Sequence, residues 1–192
     1  MDGPDLAVTL RMLIDIRRAP FGPAKDEIDD LLLACHRRIR RFSGLALRLG
    51  EPGPGGDGDN TARAEAAAAV QHYFDVALPL HAADEDESLR PRLLAAGVSA
   101  PVERALAVME AEHRQIDLLL TAAIPLWREL AQAPERHGVL RPALLRIAQP
   151  LDQLFLQHLQ AEENIIFPIL HQVLDAEALG QIRHELRQRR GS

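Results

Sequence analysis

LDQLFLQHLQAEENIIFPIL, residues 151–170, carries apolar side chains at alternating spacings of four and three. The path Leu151, Phe155, His158, Glu162, Ile165, Ile169 is the inward seam of a bundle helix. Its two central positions, however, are an imidazole and a carboxylate. An unpaired carboxylate in an apolar interior is costly, so it must be neutralised, hydrogen-bonded, paired or bound to a metal.

The same pair recurs earlier in the chain. His81 and Glu85 are four residues apart on the path Phe74, Leu78, His81, Glu85, Ser88, so both pairs share a helix face. Two more histidines, His36 and His113, fall on the inner faces of the two other long helical segments. The separations His36–His81 and His113–His158 are both 45 residues (81 − 36 and 158 − 113). An offset of 77 therefore carries each histidine, and also Glu85 to Glu162 and Pro91 to Pro168. The chain reads as two copies of a helical hairpin, each supplying one histidine and then a His-x-x-x-Glu pair.

Breakers separate four long helices, at about 24–49, 60–96, 99–132 and 141–173. The first ends at the turn-rich EPGPGGDGDN, with Asn60 or Thr61 as the cap of the second. Ser99 and Pro101 open the third. AQAPERHG separates the third from the fourth, leaving His137 in a loop, and Asp175 caps a short fifth helix. Pro79, Pro125 and Pro150 lie inside helices and should bend them. The expectation is an all-α, up-down-up-down four-helix bundle. Residues 1–23 would form an N-terminal extension, 24–175 the bundle, and 176–192 a short C-terminal helix and tail.

Composition narrows the function classes. Among the 192 residues, 22 Lys and Arg against 28 Asp and Glu give a net charge of −6, so no nucleic-acid footprint is expected. No apolar run is long enough for a membrane span, and MDGPDLAVTL lacks the pattern of a signal peptide. Cys35, the only cysteine, fits a reducing compartment, and a cytoplasmic protein is expected. Nucleophile–base pairs, phosphate loops and dinucleotide fingerprints are lacking, which leaves metal chemistry.

Four histidines and two carboxylates are too many ligands for one tetrahedral zinc, and four imidazoles do not suit calcium or magnesium. Iron, manganese, zinc or copper fit, and two carboxylates can bridge two ions. Each ion would stay short of six ligands, leaving room for water, an oxo bridge, dioxygen, nitric oxide or peroxide. Only two negative charges face two ions here, fewer than in ferritin-type sites. The ferrous state should be favoured accordingly, and with it ligand binding or sensing over iron oxidation. Asp84–Glu87 reads as a solvated acidic run in which only Glu85 is inward. Asp117 reads as a surface acid, Cys35 as a small buried residue, His72 as structural or exposed, and His171 and His184 as surface groups.

ACHRRIRRF, PLHAADED, AEHRQIDLL and QHLQAEENIIFP together resemble the hemerythrin-like (HHE cation-binding) family over roughly residues 20–175. That resemblance implies a four-helix bundle holding two non-haem iron ions, joined by an oxo or hydroxo bridge. His36, His81, Glu85, His113, His158 and Glu162 would be the ligands, with Glu85 and Glu162 bridging. It implies a small ligand, dioxygen, nitric oxide or peroxide. Oxygen-carrying hemerythrins have a second histidine one turn after the first on the third helix, where this chain has Asp117. The six-ligand set looks most like the bacterial iron–sulfur-cluster repair proteins of nitrosative stress. This implies a role in binding or sensing a gas or, alternatively, an enzyme or iron donor acting in detoxification or cluster repair.

Overall fold

The computed structural model describes residues 27–51 and 59–191. The N-terminal extension and most of the 51–60 loop lie outside them. Helix α1 is Ile28–Gly50. Helix α2 (60–95) is built from Asn60–His72, a π-helical turn Tyr73–Ala77, Leu78–Ala83, a second π turn Asp84–Leu89, and Arg90–Ala95. Helix α3 is Ala100–Gln132. Helix α4 (134–173) opens with the 3-10 turn Pro134–Arg136, continues as His137–Ala161, and passes through the π turn Glu162–Ile166 and the 3-10 turn Phe167–Ile169 to end as Leu170–Val173. Helix α5 is Ala176–Arg189. No strand occurs among the described residues, and none of their helices is long and apolar enough to cross a membrane.

Each long helix packs on its neighbours in sequence, and α4 closes the ring against α1. The core falls into two apolar clusters. One joins the end of α1 (Leu45, Leu49) to the start of α2 (Ala62, Ala66), the end of α3 (Trp127, Leu130) and the start of α4 (Leu140, Leu144). The other joins the start of α1 (Ile28, Leu32) to the end of α2 (Leu89, Leu93), the start of α3 (Val102, Leu106) and the end of α4 (Ile166, Leu170), with Ile182 and Leu186 of α5 added. That pairing of starts with ends is the up-down-up-down topology. Between the two clusters lies a buried polar layer containing His36, His81, Glu85, His113, His158 and Glu162.

Several boundaries differ from expectation. Asp59, not Asn60 or Thr61, caps α2, its carboxylate accepting from the amides of Thr61 (2.9 Å) and Ala62 (3.3 Å). Ser99 stands at the expected cap position of α3, but its side chain makes no capping bond. Helix α4 begins before Arg141: His137 is its first α-helical residue, and its Nε2 donates to the Leu49 carbonyl at 2.9 Å. Asp175 caps α5 as expected, accepting from the Ala178 amide at 2.8 Å.

The inward path at the end of α4 also departs from the regular seam. Ile165 is exposed and Ile166 and Leu170 are buried, because the π turn inserts one extra residue after Glu162. Helix α2 also carries a π turn here: Leu89 and Leu93 are buried after Glu85, at positions that the offset of 77 carries onto Ile166 and Leu170, while Ser88 of the expected path is buried too. In each π turn the amide just before a proline bonds to the carbonyl five residues back: Leu78 to Tyr73, Arg90 to Glu85 and Phe167 to Glu162. Pro79, Pro91 and Pro168 follow directly. A proline cannot donate and its ring presses on the carbonyl four residues earlier, so the helix widens there. Pro125 and Pro150, by contrast, lie within continuous α-helix.

Candidate metal centre

The four helices deliver the six inward polar residues to one layer: His36 from α1, His81 and Glu85 from α2, His113 from α3, His158 and Glu162 from α4. His113, at 9 % exposure, is the most open of them, and His36 is fully buried. Each glutamate spans both hairpins. Glu85 Oε1 lies 3.1 Å from His81 Nε2 and 3.9 Å from His36 Nε2, while its Oε2 is 3.2 Å from His113 Nε2. Glu162 Oε1 lies 3.1 Å from His158 Nε2, and its Oε2 is 3.1 Å from His36 Nε2. Two overlapping groups result, His36–His81–Glu85–Glu162 and Glu85–His113–His158–Glu162, with ligand atoms within 4.8 Å of one another.

The rings are oriented from behind. His36 Nδ1 is 2.8 Å from Glu163 Oε1, His113 Nδ1 is 3.0 Å from Asp86 Oδ2, and His158 Nδ1 is 2.9 Å from Glu112 Oε2. A carboxylate on Nδ1 fixes the tautomer with the proton there and leaves the Nε2 lone pair facing inward. Glu163 is itself held by both Nη atoms of Arg40 at 2.8 Å. Glu163 and Asp86 correspond through the offset of 77, so the backing of His36 by α4 repeats as the backing of His113 by α2. Sequence reasoning missed these three acids. The signal for two of them was present, an acid following each inward glutamate in both copies of the repeat.

Inward, both oxygens of Glu85 and Glu162 and the Nε2 atoms of His36 and His81 are buried without a hydrogen-bond partner. A native interior rarely leaves so many polar atoms unsatisfied. Imidazole nitrogens and carboxylate oxygens suit a divalent transition ion, and either of the two overlapping groups could hold one. Without an ion, the electrostatics are strained. Burial pulls the His36 imidazole down, but Glu162 and Glu85 outweigh it and push it up to about 10. Burial likewise opposes His113, which Asp86 and Glu85 push up to about 10. In His81, burial outweighs the pull of Glu85 and lowers the imidazole to about 4. Burial works to raise the Glu85 carboxyl, but His81, His113 and His36 hold it well below the usual range, while burial and then Glu85 raise Glu162.

The acidic run of α2 is not simply solvated. Asp84 is fully buried and paired with Arg189 (3.0 Å) and Arg190 (2.5 Å). Ser88 donates to Glu185 at 2.5 Å, and Arg92 pairs with Glu185 at 2.7 Å. Helix α5 thus clamps the π turn that carries Glu85. Asp84 stands three residues after His81, on the same helix face, and was passed over because only Glu85 has a matching glutamate in the repeat.

A cavity of about 240 Å³ opens between α2 and α3 and reaches His81, His113 and His158. Its walls are mainly apolar, including Phe74, Phe155 and Ile116, and Asp75 and Asp117 line it as well. Asp117 is an exposed acid, as expected, but it borders this cavity. Cys35 is half-buried, and burial pushes its thiol up. His72 and His184 are exposed, and exposed His171 pairs with Asp29 at 3.1 Å.

The chain belongs to the hemerythrin HHE cation-binding domain family, whose model matches residues 27–170. No curated protein and no solved structure matches it significantly.

Proposed function

We propose that this member of the family is a non-haem di-iron protein that binds or senses dioxygen or nitric oxide. In this reading His36 and His81 would hold one iron and His113 and His158 the other, with Glu85 and Glu162 shared between them. The observation that carries the reading is the placement of each glutamate between histidines of both hairpins. Bound iron would supply open coordination positions and one-electron chemistry.

The chain's own residues do the rest. Glu163, Asp86 and Glu112 hold three imidazoles in the tautomer that presents Nε2 inward. The mainly apolar cavity gives a small uncharged molecule a route to His81, His113 and His158. The three outer carboxylates temper the argument from ligand charge. They add negative charge behind the imidazoles, so the preference for the ferrous state is smaller than two bridging glutamates alone suggest.

The test is gas titration of iron-loaded protein prepared without oxygen. Uptake of dioxygen or nitric oxide in proportion to bound iron, reversed on gas removal, supports the proposal. A loaded protein whose spectrum ignores both gases overturns it. Asp117 and Asp75 on the cavity wall favour a second reading, an enzyme, because they place proton-carrying groups beside the ligand space. Steady turnover of peroxide or nitric oxide beyond a few equivalents, reduced when Asp117 is replaced by Asn, would select it.

A further inference from the structure

The two halves of the centre are related by the internal repeat, and they differ in what stands behind the ring of the second histidine. His36, His113 and His158 each bond a carboxylate through Nδ1. His81 does not. The residue is 3 % exposed, and its Nδ1 has no hydrogen-bond partner among the described residues. The carboxylate behind His158 is Glu112, and the offset of 77 that carries His158 back to His81 carries Glu112 back to Cys35. A thiol is a short, weak acceptor, and the Cys35 sulfur is already taken by Arg190 Nη2 at 3.7 Å.

To present Nε2 inward, where it faces Glu85 at 3.1 Å, a neutral His81 must keep its proton on Nδ1. That buried N–H then has no acceptor among the described residues. The other three rings have the proton placed and the orientation fixed by an acid, which also makes them better donors to a metal.

We infer that the two metal positions are unequal, the one shared by His113 and His158 binding its ion more tightly than the one shared by His36 and His81. The inference rests on the metal-centre reading above. It makes Glu112 a positioning residue for the first ion. The ion beside His81 is the last to enter and the first to leave, and a singly loaded chain carries its ion on α3 and α4.

The experiment uses full-length protein stripped of metal and titrated with cobalt(II), whose bound form is visible by absorption. Replacing one histidine of each pair leaves a single position, so repulsion between two ions does not enter. His81→Ala leaves the tight position and His158→Ala the weak one. The expected result is cobalt affinity about 10–100-fold higher in the His81→Ala protein, the usual worth of an outer carboxylate. Adding Glu112→Cys to His81→Ala should remove most of that advantage. If His158→Ala does not fold, Glu112→Cys alone should weaken the first binding step of the otherwise unaltered chain by a similar factor. Equal or reversed affinities, or a Glu112→Cys change with no effect, overturn the inference while leaving the metal centre intact. Failure of the unaltered protein to take up cobalt would overturn the centre itself.

Discussion

Glu163 on α4 accepts from His36 Nδ1 on α1 at 2.8 Å, across 127 residues of chain. The acid that follows the inward glutamate of one hairpin therefore orients a histidine of the other. Replacing Glu163 by Ala should lower metal affinity about 10–100-fold. The change also frees Arg40, whose guanidinium is bonded to Glu163 through both Nη atoms. Glu163→Gln, which keeps an acceptor, should recover part of the loss. Competition with a chelator of known affinity measures both, and unchanged binding in Glu163→Ala would remove the outer shell from the account.

Metal uptake should compete with protons. His36 and His113 are pushed up to about 10 without an ion, so both are charged at pH 7, while His81, lowered to about 4, is already neutral. Binding must expel the two protons, and apparent affinity should rise from pH 6 to pH 9 with release of about two protons at pH 7. Calorimetry in buffers of different ionisation enthalpy counts them. No proton release at pH 7 would contradict the charge state assigned to the ion-free site.

The same shifts set the stability of the ion-free chain. Groups raised in the fold contribute stability that is fully present below the unfolded value of 6.5 and is lost as pH rises through about 10. His81, depressed in the fold, acts oppositely, and its contribution is lost as pH falls through about 4. The ion-free protein should therefore melt lower at pH 9 than at pH 7, and the loaded protein should show a smaller change. Thermal melts with and without metal test this, and an ion-free Tm that climbs with pH would contradict it.

Helix α5 is part of the centre's support. Asp84, fully buried next to Glu85, is neutralised by Arg189 and Arg190, which are only partly exposed. The double replacement of both arginines by Ala strands that carboxylate and should cost roughly 1–3 kcal/mol, less than breaking a fully buried pair. Adding Asp84→Asn should restore part of it. Chemical denaturation of the three proteins reads the difference, and additive losses would show that the pair does not act as one unit.

At Gly50, α1 lies close against the backbone of α4. A Cβ there would stand 2.7 Å from both Leu145 Cα and its backbone nitrogen. Because backbone cannot yield as a side chain tip does, Gly50→Ala should destabilise by about 1–3 kcal/mol. Equilibrium unfolding checks it, and a neutral result would mean the helices part there without cost.

Much of this arrangement was legible before the structure. Leu151, Phe155, His158 and Glu162 keep a regular seam, and the offset of 77 brought His36, His81, Glu85, His113, His158 and Glu162 together as one set. Where the regular spacing stops, so does the reading. Ile165 was placed inward because the path assumed α-helical spacing past Glu162, and the π turn moves that place to Ile166. Asp84 is a different case, since regular spacing from His81 already puts it on the inward face. Glu112, Asp86 and Glu163 were missed for a different reason. They sit at the edge of the inward face and act on rings of other helices, a relation that periodicity along one helix does not contain.

The central claim is that the six converging side chains hold two iron ions. The direct test is elemental analysis of protein produced with ample iron and purified without oxygen, set beside His81→Ala and Glu162→Ala. Two irons per chain in the unaltered protein, and fewer in each variant, is the predicted result. An unaltered chain that folds fully and binds no metal would contradict it, as would variants that keep both irons, and the polar layer would then be a hydrogen-bonded network alone.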